Sequence, residues 1–300
     1  MAIAKSAFSD YIRPLTIYPE LGEVYATGAK IMAAMAPYGP IPASDGDLKV
    51  NWTDGGTAAA VNTTTYVHGS TAPSVGDSWT YEWSLYAGVA EVTPQSQTDF
   101  QKAMQTKSAL HGVYSKWADD LIDGAGTDHT LMGFDTQITA AAAAGDASNT
   151  YTVSGLQANT MDLLIEAVSL LDVPDSGVIF TNNTGYTKIM HYALAAAGGA
   201  WTQHIGMLNL GFGNIPQVMG FPVLVNRHIA DVGNDTFFYM VNTTPGEGAT
   251  VIVPSDKSMF EVRGPIYDQA NVITNYHILL RSQVIYPTPR GVVRGAITTS

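Results

Sequence analysis

The sequence contains no cysteine, and it has no long apolar run. The absence of cysteine among 300 residues excludes disulfides, thiolate zinc sites and cysteine nucleophiles. Nowhere do about 18 apolar residues follow one another, the length that a membrane-spanning helix needs. Residues 1–10 also lack the apolar run of a signal peptide. We therefore expect a protein that has no membrane partner and is made in the cytoplasm.

Charged residues are scarce, and acidic residues outnumber basic ones. Only 13% of residues are charged, roughly half the usual share. The 14 Lys and Arg residues against 26 Asp and Glu residues give a formal net charge of −12, which opposes binding that depends on neutralising phosphates. The 46% of hydrophobic residues predicts a folded chain. Few charges and 15 tyrosines are typical of a surface that other protein covers.

The motifs of common enzymes are also missing. Gly211-Phe-Gly213 and Gly124-Ala-Gly126 lack the third glycine of a dinucleotide-binding loop, and neither a phosphate-binding loop nor a Gly-x-Ser-x-Gly motif occurs. The seven histidines lack the spacing of a metal site. Four aspartates at positions 119–128 lack the calcium-binding pattern of an EF-hand, so a solvated helix end explains them better. We expect no catalytic residue, no cofactor and no metal.

The first 40 residues divide into two different segments. Residues 7–19 alternate apolar and polar positions around two prolines, which favours an extended arm. From Glu20 to Ala36 the apolar spacing predicts an amphipathic helix that ends before Pro37. The pattern leaves open whether this helix packs on the core of its own chain or on a neighbour.

Residues 45–92 are rich in Gly, Thr, Ser and Ala and predict a long two-stranded hairpin. Its β-type runs lie at 48–53, 63–68 and 78–86, separated by turn signals. The segment holds three of the five tryptophans, yet an isolated two-stranded ribbon is only marginally stable in water. The ribbon must therefore lie either on the rest of this chain or on another subunit, and the sequence leaves both open.

The remainder predicts helices mixed with strands. Thr93-Pro94 supplies a helix cap and a first-turn proline. The longest predicted helix begins there and runs to about Ile122, with an apolar stripe that buries one face. After a glycine-rich turn at 123–127, the patterns predict helices at 159–172 and 185–197, a buried strand at 177–181, and further strands up to residue 297. This succession is typical of an α+β fold.

The order of these segments resembles the Hong Kong 97-type major capsid proteins of tailed bacteriophages over almost the whole chain. Similar local stretches are Asp123-Gly-Ala-Gly-Thr127, Leu131-Met-Gly133-Phe134, Gly177-Val-Ile-Phe-Thr-Asn182, Gly213-Asn-Ile-Pro216, Met219-Gly-Phe-Pro-Val223, Ile278 to Tyr286 and Gly291-Val-Val293. The resemblance implies an α+β fold with an N-terminal arm at 1–43, an extended β-hairpin loop at 44–93, a peripheral domain with a long spine helix at 94–154, an axial domain at 155–255, and return strands of the peripheral domain at 256–300.

The resemblance also implies a function, that of a viral structural protein and not an enzyme. Copies of the chain would assemble into hexamers and pentamers of an icosahedral shell around double-stranded DNA, in the virion, after assembly in the host bacterial cytoplasm. Implied partners are other copies, a separate scaffolding protein, a portal, and packaged DNA held without sequence-specific binding. Whether a decoration protein is a further partner stays open. The candidate subunit-interface residues are Trp52, Trp79, Trp83, Tyr86, Tyr11 and Tyr18.

Three other functions remain open from the sequence. An encapsulin-like compartment would have the same fold but enclose a cargo enzyme. A secreted or particle-attached β-rich binding protein would fit the Thr- and Gly-rich segments and the tyrosine content. An enzyme comes third, because the sequence offers no recognisable set of nucleophile, base and orienting partner.

Overall fold

The computed structural model describes residues 30–36, 40–43, 48–53, 75–92, 99–143, 151–171, 176–195, 205–209, 214–244, 247–255, 259–268 and 273–299. In this part of the chain, helices and strands form an α+β architecture, as predicted. The strands make one sheet of five, one of seven and one of two.

The helices are α1 (Asp99–Asp123), α2 (Phe134–Ala143), α3 (Thr160–Leu170) and α4 (Asn183–Ala195), and residues 30–35 are also helical. The strands are β1 (Ile41–Ala43), β2 (Leu48–Thr53), β3 (Val75–Tyr81), β4 (Ser84–Val92), β5 (Thr152–Leu156), β6 (Gly177–Thr181), β7 (Ile205–Asn209), β8 (Asn214–Val218), β9 (Phe221–Val225), β10 (Asp235–Asn242), β11 (Thr250–Pro254), β12 (Phe260–Asp268), β13 (Ile273–Ile285) and β14 (Val292–Thr298).

Strand β13 organises the five-stranded sheet. It pairs antiparallel with β4, β11 and β12, and β1 adds parallel to β11. Along β4 the even-numbered residues Tyr86, Ala90 and Val92 are buried, whereas the odd-numbered residues face outward because side chains alternate along a strand. Strand β4 therefore has one buried face and one exposed face.

Helix α1 covers the inner face. Its apolar stripe, including Trp117 and Leu121, is buried as the sequence predicts. Strand β4 can pass close beneath the helix because residue 88 is a glycine; a Cβ there would lie 2.7 Å from the carbonyl oxygen of Ala109. Ile31 and Met35 of the helical segment 30–35 join the same hydrophobic core. This segment thus packs on its own chain, while the rest of the predicted helix at 20–36 lies outside the described residues.

The central strands of the seven-stranded sheet, β6, β9 and β10, are buried on both faces. The order of this sheet is β5-β14-β10-β6-β9-β8-β7, with β10 antiparallel to β6 and β14. Phe238 faces a core that it shares with α3 and α4. Phe180 and Tyr239 face the other core, where their rings lie 5.7 and 5.5 Å from that of Phe134 in α2. Since both of their faces are covered, β6, β9 and β10 are nearly continuous apolar runs in the sequence.

Strand pairing crosses the predicted division at residue 255, and the division itself stays a prediction. Strand β11, inside the predicted axial segment, pairs with β13 in the five-stranded sheet. Strand β14, inside the predicted return segment, pairs with β10 and β5 in the seven-stranded sheet. Partners so distant in the sequence are chosen by the packing of the whole molecule, so the linear order of segments could not assign them. The other segment boundaries stay predictions.

Strands β2 and β3 form the base of the predicted hairpin. They pair antiparallel, with Leu48 opposite Tyr81 and Val50 opposite Trp79. The predicted strand at 63–68 lies outside the described residues. The predicted run at 78–86 is divided, since its second part begins β4 of the five-stranded sheet. Within the described part of the chain, no third strand pairs with β2 or β3.

Candidate functional site

Two of the four aspartates at 119–128 form ion pairs with Lys116. Lys116 Nζ lies 2.9 Å from Asp119 Oδ2 and 2.7 Å from Asp120 Oδ1, and the hydroxyl of Tyr86 donates to Asp120. In the ranges that the structure describes, no group of three or more His, Asp or Glu residues could hold a metal ion. No helix among the described residues is long and apolar enough to span a bilayer. The hairpin and the exposed face of β4 are candidate functional features.

The hairpin joins the body of the molecule at Glu82–Tyr86, here called the hairpin root. The amide of Leu85 donates to the carbonyl of His129 at 3.0 Å. Nδ1 of His129 lies 3.2 Å from the carbonyl oxygen of Trp83, and since a carbonyl can only accept, the ring nitrogen donates. The amide of His129 also donates to the Glu82 carboxylate at 3.4 Å. The turn around His129 thus holds the root on one side.

This turn depends on glycines that let its two ends touch. A Cβ at Gly124 would overlap the carbonyl oxygen of Leu131, and one at Gly133 would lie 2.5 Å from the amide of Gly124. Asp128 and His129 have φ values of 53° and 59°, a left-handed conformation that Asp and His adopt more readily than most residues. That conformation directs the His129 carbonyl toward β4.

A buried polar network fixes the root from below. The Tyr86 hydroxyl donates to Asp120 at 2.7 Å and accepts from the amide of Leu131 at 3.1 Å. Burial and the neighbouring Asp120 raise the pKa of Tyr86 well above its ordinary value. The fully buried amide of Gln283 donates to the carbonyls of Glu82 and Thr130. Strand β13, the turn and the root are therefore joined in one network.

The outer face of the five-stranded sheet is apolar along β4 and charged beside it. Leu85 and Val89 keep 44% and 46% of their surface exposed. Their neighbours on β13 are Arg281 and His277. Glu261 of β12 lies 3.5 Å from Arg281 and 2.7 Å from Arg263. An apolar strip beside a polar row is typical of a surface that binds protein.

The predicted interface residues have different positions. Tyr11 and Tyr18 lie outside the described residues, and Trp52 and Trp79 are described only as backbone positions of β2 and β3. Trp83 is half-buried at the root. Tyr86 is only 6% exposed, because the alternation along β4 directs its side chain into the core of its own chain. Its position therefore does not support an interface role. Leu85 and Val89 were not predicted, although the same alternation would have identified them.

A cluster of polar side chains between α1 and His228 was not predicted either. Oγ of Ser115 lies 3.1 Å from Nε2 of His228, and Nδ1 of His228 lies 3.3 Å from Oδ1 of Asp119. Ser115 and Asp119 are one helical turn apart, which the sequence shows. His228 is 113 positions from Ser115, and no spacing motif connects them. The sequence alone does not indicate that these three side chains meet.

No protein-family model matches the sequence, and no curated protein is significantly similar to it. Solved structures are similar in three dimensions. The capsid of the empty GTA particle has a TM-score of 0.60 and 13% identity, covering 89% of this chain and 90% of that one. The holo encapsulin complex of Synechococcus elongatus gives 0.59 and 11%, covering 86% and 84%. The cyanophage A-1(L) capsid gives 0.54 and 10%, covering 89% and 91%.

These alignments extend over most of each chain, so the likeness concerns the whole arrangement of elements and not one local motif. The chain has the α+β fold of the Hong Kong 97-type capsid proteins and encapsulins.

Proposed function

We propose that this protein forms a shell, as the major capsid subunit of a tailed bacteriophage that assembles into hexamers and pentamers around double-stranded DNA. The observation that carries the proposal is the hairpin. Its strands β2 and β3 pair with no third strand in the described part of the chain, whereas its root is tied by several hydrogen bonds. A rigid root with an unsupported ribbon suits a contact made to a neighbouring copy.

The open surfaces support the same proposal. Leu85 and Val89 leave an apolar strip in water on an isolated subunit, and covering it with another copy would stabilise the assembly. Closed symmetric assembly repeats each contact around a ring, so individually modest contacts add up. We propose a structural role, without catalysis, as the main function of the chain.

The remaining partners belong to the proposal as well. A net charge of −12 suits a wall that packaged DNA touches without being bound to it. A separate scaffolding protein and a portal would direct assembly in the host bacterial cytoplasm, a decoration protein could be added outside, and the finished subunit would reside in the virion.

An encapsulin-like compartment is the second candidate function. The observation that favours it is the TM-score of 0.59 to an encapsulin complex, the same value as for the capsid of the native GTA particle. An encapsulin would enclose protein cargo and not a genome. The contents of the particle therefore separate the two functions.

Electron microscopy of the full chain, purified alone and after co-expression with a scaffolding protein, tests the proposal. We expect closed particles. Shells that form alone and enclose protein favour the compartment; scaffold-dependent shells favour the capsid. Persistent ligand-binding monomers under both conditions would contradict shell formation.

The hairpin itself is tested by deleting residues 54–71. We expect a folded subunit, judged by an unchanged urea unfolding midpoint, that no longer enters particles. Trp79→Ala should act in the same direction and Trp79→Phe should assemble, because truncating a packed aromatic ring commonly costs about 3–5 kcal/mol. Loss of folding in the deletion variant would show that the ribbon packs on its own chain.

A further inference from the structure

We propose that Ser115 is an activated nucleophile that accepts one acyl or phosphonyl group from an electrophilic ester, with His228 as its base. The site lies on the exposed side of α1 and is independent of the proposed shell function. It would make the subunit a target of covalent modification and not a turnover enzyme.

The geometry assigns the protons of the cluster. The carboxylate of Asp119 can only accept, so Nδ1 of His228, 3.3 Å away, carries the hydrogen. Nε2 of the same ring is then free to accept the proton of the Ser115 hydroxyl at 3.1 Å. A single tautomer satisfies both contacts. This is the relation of nucleophile, base and orienting carboxylate that activates a serine.

Neighbouring residues hold each member in place. The fully buried Asn226 donates through Nδ2 to the carbonyl of Ala118 at 2.8 Å, and its Oδ1 accepts from the amide of His228 at 3.1 Å. The backbone amide of Asn226 donates to the backbone carbonyl of Thr181 at 2.8 Å. Lys116 takes the other oxygen of Asp119 at 2.9 Å. The imidazole is thereby positioned before any reagent arrives.

The cluster is open to solvent. The side chains of His228 and Asp119 are 33% and 36% exposed, and Ser115 is half-buried. An ester can therefore approach the Ser115 hydroxyl. Its Oγ would attack the carbonyl carbon while its proton moves to Nε2 of His228. The bond from that carbon to the leaving oxygen then breaks, and the proton passes to this oxygen, which leaves as an alcohol.

The helix slows any later hydrolysis of this ester. The amide of Ser115 lies inside α1, where backbone amides bond to carbonyls four residues earlier. It is therefore not free to stabilise the oxyanion, either when Ser115 attacks the reagent or when water attacks the new ester. We infer slow hydrolysis and a lasting ester on Ser115.

Labelling of the full-length protein with a fluorophosphonate, followed by peptide mass spectrometry, tests the proposal. Ser169 is the matched control: it is a helical serine whose hydroxyl donates to a backbone carbonyl at 2.7 Å. We expect Ser115 to react on the order of 10²-fold faster than Ser169, the contribution of a positioned base. Labelling of Ser115 and Ser169 at equal rates overturns the proposal.

Two variants separate a base from a structural contact. In His228→Gln the new side chain can still form hydrogen bonds but cannot take up a proton. The labelling rate of Ser115 should therefore fall to that of Ser169. In His228→Ala, added imidazole should restore labelling of Ser115 and leave Ser169 unchanged. If His228→Gln labels as fast as the unaltered protein, or if imidazole restores nothing in a folded His228→Ala variant, His228 does not act as the base.

Discussion

Gly88 shows how one residue sets the distance between a strand and a helix. A Cβ at this position would lie 2.7 Å from the carbonyl oxygen of Ala109 and 2.8 Å from Cγ2 of Val113. The carbonyl belongs to the backbone of α1 and cannot turn aside as a flexible side chain could. The helix must therefore move away from β4 if the glycine is replaced.

We expect Gly88→Ala to lower the free energy of unfolding by about 1–3 kcal/mol, the usual cost of overpacking a core. Urea unfolding measures the change. Gly112→Ala in α1 is the control, since a Cβ at this position meets nothing within 4 Å. It should be neutral or stabilise the protein by up to about 1 kcal/mol, because alanine favours a helix over glycine. Equal losses in both variants would contradict the steric explanation.

Two buried tyrosines make stability depend on alkaline pH. Burial, followed by Asp120, raises the pKa of Tyr86; burial, followed by Asp135, raises the pKa of Tyr239. In the unfolded chain both phenols lose their protons near pH 10. Above that pH the unfolded state binds fewer protons than the folded state, so the free energy of unfolding must fall as pH rises.

We expect this loss to reach at most about 1.4 kcal/mol per pH unit for each tyrosine. Urea unfolding between pH 8 and 11 measures the slope. Tyr86→Phe and Tyr239→Phe should each make it shallower, whereas Tyr267→Phe changes an exposed residue and serves as the control. An unchanged slope in both buried variants would show that these phenols are not the cause.

At the scale of elements, the hairpin root joins three parts of the chain through one amide. Gln283 of β13 donates to the carbonyls of Glu82 and Thr130, and its Oε1 accepts from the amide of Met132 at 3.3 Å. Gln283 is fully buried. If this side-chain amide is removed, the buried partner groups lose their hydrogen bonds, and water cannot reach them to replace it.

We expect Gln283→Leu to lower the free energy of unfolding by at least about 2 kcal/mol, since several buried groups lose a partner. Hydrogen exchange should speed up first at the amides of Leu85 and Leu131, which lie in the same network. Gln217→Leu is the control, because its amide makes one 3.4 Å bond to Gly220 in an exposed setting. Unchanged exchange at Leu85 would contradict a shared network.

The sequence predicts elements whose partners are local or whose pattern is strong. The apolar stripe of α1 correctly predicts which face of the helix is buried. The structure describes this helix from Asp99, whereas the sequence predicts a start at Pro94. The run 48–53 coincides with β2. The sequence does not predict that β11 pairs with β13, that β14 pairs with β10, or that Ser115 contacts His228. These pairings depend on packing between segments that are distant in the sequence.

At the scale of the whole molecule, charge opposes assembly of identical copies. Each chain carries a formal charge of −12, so every contact brings like-charged bodies together. Salt weakens this repulsion, since the screening length falls from about 10 Å at 0.1 M to about 3 Å at 1 M. Apolar contacts such as those of Leu85 and Val89 are not weakened in this way.

We therefore expect raising NaCl from 0.1 to 1 M to speed particle formation and lower the concentration at which it begins. Light scattering of the purified subunit, with its scaffold if one is needed, measures both quantities. Particles that dissolve at high salt would instead show that ion pairs between subunits outweigh the net repulsion. This prediction depends on the proposed shell function, whereas the unfolding experiments above do not.

The position of β14 has a consequence for synthesis. This strand lies between β5 and β10, and among the described strands β5 pairs with β14 alone. A ribosome delivers residues 152–156 long before residues 292–298, so the large sheet stays divided while translation continues. Nascent chains crowded along one messenger RNA would therefore be unable to complete this core and join one another. Association through this core would then have to wait for the synthesis of residues 292–298.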